Sequence, residues 1–414
     1  MDRRQFIFPG ILVLYITALW YLNQQAPYEA FAPGSGQLFA YWVFQISLFY
    51  IPLTIAYMMF FGRRRNALSS LIMGMTVVVF ATQLLLSLYF FLGDIGQLAQ
   101  QAVLYWSDRA TTPPDFTASR QFKQLGLALT AVPFSYFMYG ITKGKYNYTV
   151  ERVTLNSPDL PEAFDGFRLV QISDIHSGSF DSLEGVAKGT QLISDQQADL
   201  LVFTGDLVNG NAREIEPFIP LFQKLTAPYG KFAVTGNHDY SSGGAWGDQD
   251  AWRANVRAVQ ENYGRCGFDL LKNRSVSIEK NGQSIQLVGV ENWGKPPFPQ
   301  YGDLDLALNG VPSDAFKILL SHDPSHWDEK VLPHKDHIHL TLSGHTHGMQ
   351  FGINFKGIKW SPVQLVYPRW AGLYEEAKQF LYVNRGFGWL AFPGRIGMYP
   401  EITVFELRRA PQPQ

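Results

Sequence analysis

Cysteine and net charge are what this 414-residue chain has least of. Cys266 is the only cysteine, so an internal disulfide and a thiolate metal cluster are excluded, and a bound metal would need oxygen and nitrogen ligands. The formal net charge is −1 and the pI is about 6.8. Because nucleic-acid-binding proteins usually carry a clear basic excess, no nucleic acid partner is expected. Cys266 itself is expected to be an inert, half-buried thiol.

Charged residues are also missing from four long segments in the first third of the chain. A helix that crosses a bilayer needs about 20 mostly apolar residues. We expect about four such helices, at residues 6–22, 38–61, 68–92 and 125–141. Acids, bases and histidines are absent from these segments, and transport or proton relay usually needs them. This region is therefore expected to be a membrane anchor in contact with the lipid bilayer.

Basic residues beside these segments predict their orientation. Arg3, Arg4, residues 63–65, Lys143 and Lys145 flank the ends that the positive-inside rule assigns to the cytoplasm. We therefore expect a multi-pass protein of a bacterial inner membrane with its soluble domain in the cytoplasm. If the fourth segment only lies in the interface, that domain is on the opposite face. A twin-arginine export signal is the alternative interpretation of the first two arginines.

From residue 148 onwards, short apolar runs alternate with helical patterns, which predicts an α/β domain. The domain boundaries are predicted as a membrane anchor at 1–147, the α/β domain at 148–409 and a flexible tail at 410–414. A hairpin is expected at 275–290, with its turn at Asn281-Gly282. The predicted buried strands lie at 167–172, 199–203, 231–234, 316–320 and 338–342.

Polar residues follow each of these buried strands. In chain order they are Asp174 and His176, then Asp206, then Asn237 and His238, then His322, and finally His345 and His347. Ligands in α/β sheets bind outside the carboxyl ends of strands, so five such ends can converge on one site. Burying carboxylates and imidazoles together is unfavourable unless a cation compensates them. The pattern therefore predicts a metal centre.

Five motifs together resemble the calcineurin-like metallophosphoesterase family, in its membrane-anchored branch. They are Asp174-x-His176, Gly205-Asp206, Gly236-Asn237-His238-Asp239, His322 and Gly344-His345-x-His347. The resemblance covers residues 167–407 and leaves out the membrane region. It implies a four-layer α-β-β-α sandwich and hydrolysis of phosphate ester or pyrophosphate bonds by a metal-bridging hydroxide. It also implies two divalent metal ions, which are Mn, Zn, Fe or Mg.

The resemblance further implies a role for each site residue. The first metal would be held by Asp174, His176, Asp206 and His347. The second would be held by Asp206, Asn237, His322 and His345, which makes Asp206 the bridge. His238 would stabilise the transition state or protonate the leaving oxygen, and Asp239 would orient and charge it. Asn209 departs from the family pattern, since many relatives carry an acid there.

Aromatic loops and the anchor favour an amphipathic substrate such as a lipid-linked phosphate. The tryptophans concerned are Trp246, Trp252, Trp293, Trp360, Trp370 and Trp389, for which simple packing is the competing explanation. Residues 243–247 are expected to form a mobile lid. A hydrolase of soluble nucleotides or phosphodiesters, a receptor or scaffold with a metal-stabilised domain, and a transporter are the alternatives. The oligomeric state stays open.

Overall fold

The computed structural model describes residues 15–31, 33–61, 67–107, 113–240, 248–355 and 358–411. The chain divides into two compact units, Met1–Ile141 and Thr142–Gln414. The domain boundaries predicted at residues 147 and 409 stay a prediction. The predicted lid at 243–247 lies outside the described residues.

Helices dominate the first unit. A helical segment at 15–24 precedes α1 (Ser35–Phe61), α2 (Ala67–Trp106) and α3 (Arg120–Thr142). Within the described residues, two helices are long and apolar enough to cross a membrane, at Leu71–Trp106 and Arg120–Thr142. This is fewer than the four predicted. The shortfall concerns the first two predicted spans: the first lies partly outside the described residues, and the second lies within α1, which is helical from Ser35 to Phe61.

The third predicted span ends too early. It was expected to end at residue 92, but α2 is 40 residues long and continues to Trp106. Asp94 therefore lies on this helix, where it accepts hydrogen bonds from the Tyr21 hydroxyl and from Gln25 Nε2. The predicted span ends before the first charged residue, Asp94. The helix continues past this residue because other side chains of the unit satisfy the Asp94 carboxylate.

The second unit contains two six-stranded mixed sheets. Its described strands, in chain order, are β1 Thr149–Ser157, β2 Phe167–Ile172, β3 Leu200–Phe203, β4 Lys231–Ala233, β5 Asp269–Leu270, β6 Arg274–Lys280, β7 Gln283–Gly289, β8 Lys317–Leu320, β9 Leu340–Ser343, β10 Ile353–Phe355, β11 Ile358–Trp360, β12 Gly372–Glu376, β13 Gln379–Val383 and β14 Glu401–Arg409. The first sheet has the order β1-β14-β2-β3-β4-β5, and the second has the order β12-β13-β9-β8-β7-β6. Strands β10 and β11 form a separate hairpin.

Short helices connect the strands. The described α-helices of this unit are α4 Leu183–Asp195, α5 Ile219–Gln223, α6 Gln249–Arg265 and α7 Leu304–Ala307. Each of α4, α6 and α7 begins at a side chain that accepts a hydrogen bond from the first turn, namely Ser182, Asp248 and Asp303. Such caps satisfy amide groups that have no partner inside a helix.

Three apolar layers hold the four layers of this unit together. Between the sheets, Leu169 of β2 and Leu287 of β7 belong to one buried cluster. Because successive side chains of a strand point to opposite faces, Val170 packs instead with α4 and α6 outside the first sheet. Outside the second sheet, Leu319 packs in a cluster with Leu304 of α7. The result is the predicted α-β-β-α sandwich.

Candidate metal centre

Loops at the carboxyl ends of five strands meet at one site. The loops after β2, β3 and β4 come from the first sheet, and those after β8 and β9 come from the second. Backbone hydrogen bonds join them, because the Asp174 amide donates to the Gly205 carbonyl (2.9 Å) and the Gly344 amide donates to the His322 carbonyl (2.9 Å). The site is thus built from backbone that is bonded from loop to loop.

The backbone is left-handed at most of the predicted ligands. The φ angles are 51° at Asp174, 46° at His176, 63° at Asp206, 72° at His345 and 53° at His347. Such conformations cost roughly 1–3 kcal/mol each for residues other than glycine, and they cluster at functional sites. Here they turn the chain sharply after each strand, so that the side chains point into a common space.

Two motif glycines allow the loops to approach each other. A Cβ atom at Gly344 would lie 1.9 Å from Ser173 Oγ and 2.3 Å from Asp174 Oδ2. A Cβ atom at Gly236 would lie 2.2 Å from Asp206 Oδ1. These glycines therefore leave the space that the two carboxylates occupy.

Asp174, His176 and His347 form one group with the spacing of metal ligands. His347 Nε2 lies 3.3 Å from Asp174 Oδ1, and His176 Nε2 lies 3.9 Å from the same oxygen. The two imidazole Nε2 atoms are 3.0 Å apart. All three side chains are buried.

Asp174, Asp206 and His322 form a second buried group. His322 Nε2 lies 3.2 Å from Asp206 Oδ2 and 4.0 Å from Asp174 Oδ1. The same Asp206 oxygen lies 3.4 Å from His176 Nε2, which joins the two groups. Asp206 therefore lies between one predicted ligand of each metal, whereas Asp174 belongs to both groups.

The remaining predicted ligands, Asn237 and His345, lie beside the second group. His345 Nδ1 is 2.9 Å from Asn237 Oδ1 and 3.3 Å from His322 Nε2. His345 Nε2 points away from these atoms, towards the Tyr367 hydroxyl at 2.8 Å and Asp323 Oδ2 at 3.5 Å. His345 therefore presents Nδ1 to the site, whereas His347 presents Nε2.

Outer contacts fix the orientation of the other imidazoles. His322 Nδ1 donates to the Thr204 carbonyl (2.7 Å), which directs Nε2 at the site. The guanidinium of Arg395 lies with Nη2 3.0 Å from His347 Nδ1 and donates from Nη1 to the His347 carbonyl (3.1 Å). Arg395 is fully buried and also donates to the carbonyls of Gly388 and Arg385.

Tyr367, Asp323 and Arg395 contact the site, and no sequence motif indicated them. Asp323 directly follows His322, and that adjacency was the one available signal. Tyr367 and Arg395 stand outside every motif, and only the fold places them against His345 and His347.

Electrostatics at the site favour a cation. Burial opposes ionisation of Asp206, but the imidazoles of His322 and His238 outweigh it and hold the pKa of the carboxyl well below its usual range. At His322, burial lowers the pKa, yet the charges of Asp206 and Asp174 prevail and raise it to about 10. Burial lowers the pKa of His176 well below its usual value, so this imidazole is neutral with a lone pair available.

The donors fit a bound metal. His176 Nδ1 is buried and lacks a hydrogen-bond partner in the described part of the chain, so the ring is fixed by what its Nε2 binds. Two wholly buried carboxylates face imidazoles, with no lysine or arginine paired to either in the described residues. Oxygen and imidazole nitrogen suit divalent Mn, Zn, Fe or Mg. These side chains are a candidate metal site.

His238 and Asp239 lie at the edge of this centre and make different contacts. The His238 amide donates to Asp206 Oδ1 (2.8 Å), and its Nδ1 lies 3.1 Å from the Asn209 carbonyl. Asp239 accepts from the backbone amides of Asp206 (3.2 Å) and Gly236 (2.8 Å) and from the Tyr263 hydroxyl (2.6 Å). The contacts of Asp239 therefore fix the loop of Asp206, and its predicted action on the His238 ring stays a prediction.

The loop tryptophans differ in burial, and Trp252 is half-buried, with its Nε1 donating to the Tyr240 carbonyl (3.3 Å). Trp293, Trp370 and Trp389 are buried, which agrees with simple packing. Trp360 is exposed, and Trp246 lies outside the described residues. An aromatic contribution to the surface therefore comes from the segment around Trp360.

Comparison with known families agrees with the two-unit organisation. The family described as calcineurin-like phosphoesterase matches residues 167–349. The family described as probable calcineurin-like phosphoesterase, transmembrane domain, matches residues 3–145. The first match contains every predicted ligand, and the second covers the apolar helices.

Known metallophosphoesterases are similar to this chain. The chain is 33% identical over 263 residues to the metallophosphoesterase YkuE of Bacillus subtilis, covering 62% of this chain and 84% of that protein. It is 29% identical over 333 residues to a transmembrane protein with metallophosphoesterase domain of Danio rerio, covering 78% and 71%. A metallophosphoesterase of Aquifex aeolicus is 26% identical over 264 residues, covering 64% and 93%. The chain therefore belongs to the calcineurin-like metallophosphoesterase family, as a membrane protein with a phosphoester hydrolase domain.

Proposed function

We propose that the protein uses two divalent metal ions to hydrolyse a phosphate ester or pyrophosphate bond of a lipid-linked substrate at the membrane. The observation that carries this proposal is the position of Asp206, whose Oδ2 lies between His176 and His322. A single carboxylate between two sets of imidazoles is the arrangement that a pair of neighbouring metals needs.

The proposed ligand sets are those that the family resemblance implies. The first set is Asp174, His176, Asp206 and His347. The second set is Asp206, Asn237, His322 and His345. The contacts that support this division are that His347 Nε2 faces Asp174, whereas His345 Nδ1 faces Asn237. When bound, two such ions supply charge stabilisation for a phosphoryl group and a nucleophile from water at neutral pH.

His238 is proposed to serve the leaving group. Its Nδ1–H donates to the Asn209 carbonyl, so the neutral ring carries its lone pair on Nε2 and the protonated ring donates a proton from Nε2. The ring centroid lies 4.9 Å from that of His176, which places it beside the proposed metal ligands. From there the Nε2 proton can be transferred to a departing oxygen.

Comparison of the full-length protein with His238→Ala separates an enzyme from a scaffold. With Mn²⁺, Zn²⁺ or Mg²⁺ and the chromogenic diester bis(p-nitrophenyl) phosphate, we expect kcat to fall about 10²- to 10⁴-fold, the usual contribution of a general acid. Metal content by mass spectrometry should stay at two ions per chain. His334→Ala, away from the motifs, is the matched control. Equal turnover by wild type and His238→Ala would contradict the proposed role.

The two histidines of the last motif test the ligand sets separately. His345→Ala and His347→Ala should each remove a different ion, read as a fall from two ions to one in purified full-length protein. Loading with one ion type followed by a second distinguishes the two positions. Equal loss of both ions in each variant would contradict the division.

Lipid phosphates test the substrate. We expect lipid phosphates or lipid pyrophosphates in mixed micelles to be hydrolysed and to compete with the chromogenic diester. A protein that cleaves soluble nucleotides or diesters readily but ignores every lipid phosphate would support the soluble-substrate alternative.

A further inference from the structure

A small hairpin follows the last metal-binding motif. Strands β10 and β11 pair antiparallel, with Ile353 opposite Trp360 and Phe355 opposite Ile358. Residues opposite each other in an antiparallel pair project from the same face, and so do residues two apart in a strand. Ile353, Phe355, Ile358 and Trp360 therefore form one face of the hairpin, which we call the apolar face.

The apolar face is exposed. The exposed fractions are 52% for Ile353, 64% for Phe355, 65% for Ile358 and 42% for Trp360. Asn354 and Lys359 pair on the opposite face, and the chain between the strands is Lys356-Gly357. The hairpin is thus amphipathic, with four large apolar side chains on one side and an amide and an ammonium group on the other.

The base of the hairpin is firmly packed, so the exposure belongs to the folded structure. Ser361 Oγ donates to the Gly348 carbonyl (2.8 Å), and the Gly352 amide donates to the Ile396 carbonyl (2.9 Å). Below it, Trp370 and Met398 belong to a small buried cluster.

Both ends of the hairpin segment reach the candidate metal centre. His347 precedes β10 by a short turn, and it is held by Asp174 and Arg395. Tyr367 follows β11, and its hydroxyl contacts His345 Nε2. The apolar face is therefore close in sequence to two residues that contact the candidate metal centre, one on each side of the hairpin.

We propose that the apolar face of this hairpin inserts into the interfacial region of a lipid bilayer that contains anionic lipids. The chain is a membrane protein, so a bilayer is always at hand. A hairpin with large apolar residues and a tryptophan on one face, and the lysine Lys359 on the other, matches a surface whose interior is apolar and whose headgroups are negative. This inference concerns membrane contact and does not depend on the proposed reaction.

Site-directed spin labelling tests the insertion. Ile358→Cys is labelled in the full-length protein reconstituted in nanodiscs of phosphatidylcholine and phosphatidylglycerol. Cys266 stays native, because it is buried and burial raises the pKa of its thiol to about 12. Oxygen partitions into hydrocarbon and a polar nickel chelate stays in water. We expect oxygen to relax the label at 358 more strongly than the chelate does.

Asn354→Cys, on the opposite face, is the matched control and should show the reverse ratio. Ile353→Cys is a second reporter of the apolar face should the first variant fail to fold. Stronger relaxation by the chelate at 358 and 353 would overturn the proposal, because the face would lie in water. Shielding of these labels from both reagents would also overturn it, because protein would then cover the face.

Discussion

Two regions of the second unit depart in opposite ways from the usual burial of apolar residues and exposure of charged ones. At the candidate metal centre, the carboxylates of Asp174 and Asp206 are almost fully buried. In the hairpin, Ile353 and Ile358 are more than half exposed. Buried charge and a contiguous exposed apolar face are the two informative exceptions to ordinary burial. Each calls for a partner that the chain itself does not supply, a cation at the proposed metal site and a bilayer at the proposed membrane contact.

The two regions also differ in how firmly the chain holds them. Bonds between loops and left-handed backbone fix the metal centre, as at Asp174 and His345. The hairpin has three residues in each strand, and a two-stranded ribbon alone is marginally stable in water. Substitutions should therefore have large effects at the centre and small effects in the hairpin.

Asp206→Asn should have the largest effect, because it removes the charge between both sets of imidazoles. We expect the bound metal to fall below one ion per chain and kcat to fall by about 10³-fold or more, since metal stabilisation supplies several kcal/mol. Activity and metal content of the purified full-length protein are the measurements. Asp314→Asn, at an exposed position, is the control and should behave as wild type. Retention of both metals would contradict the position assigned to Asp206.

Arg395→Gln should come next, and its main effect should be on stability. The guanidinium donates to several buried carbonyls, and leaving buried acceptors unpaired costs about 1–3 kcal/mol each. We expect the free energy of unfolding to fall by about 3 kcal/mol, with a smaller fall for Arg395→Lys. Denaturant unfolding followed by tryptophan fluorescence measures it. Arg408→Gln, an exposed control, should change it little, and an equally large loss there would remove the distinction.

His326 makes stability depend on pH. The ring is buried beside Ser321, and burial lowers its pKa from 6.5 to about 3. The folded protein thus binds this proton more weakly than the unfolded chain, so the contribution to stability is complete above pH 6.5 and is lost as pH falls towards 3. His326→Gln should reduce the slope of unfolding free energy against pH in this range by up to about 1.4 kcal/mol per pH unit. An unchanged slope would show that the ring titrates normally.

Ile358→Ser should have the smallest effect. The side chain is largely exposed, so the free energy of unfolding in detergent should stay within about 0.5 kcal/mol of wild type. Leu319→Ala, in the buried cluster outside the second sheet, is the contrast and should cost about 2–5 kcal/mol. If the two substitutions destabilised the protein equally, the apolar face would be part of a core.

Much of the soluble fold followed from local pattern. The predicted strands at 167–172, 199–203 and 316–320 agree with β2, β3 and β8 within one residue, because continuous apolar runs ending at polar or glycine residues are typical of strands buried on both faces. The predicted hairpin agrees with β6 and β7. The β10–β11 hairpin was missed although Ile353-Asn354-Phe355 and Ile358-Lys359-Trp360 each alternate apolar and polar residues, because a run of three residues is too short to indicate a strand by pattern.

The sequence by itself determined the chemistry of this protein. Motif residues such as Asp206 and His345, their placement after apolar runs and the uncharged segments of the first third are properties of the chain, and they sufficed to indicate a membrane-bound metallophosphoesterase. Tertiary structure alone decided which atoms meet. Arg395 reaches His347, Tyr367 reaches His345, and the apolar residues of the hairpin share one exposed face. These contacts join residues from separate elements, and strand register and loop geometry, not local composition, set such distances.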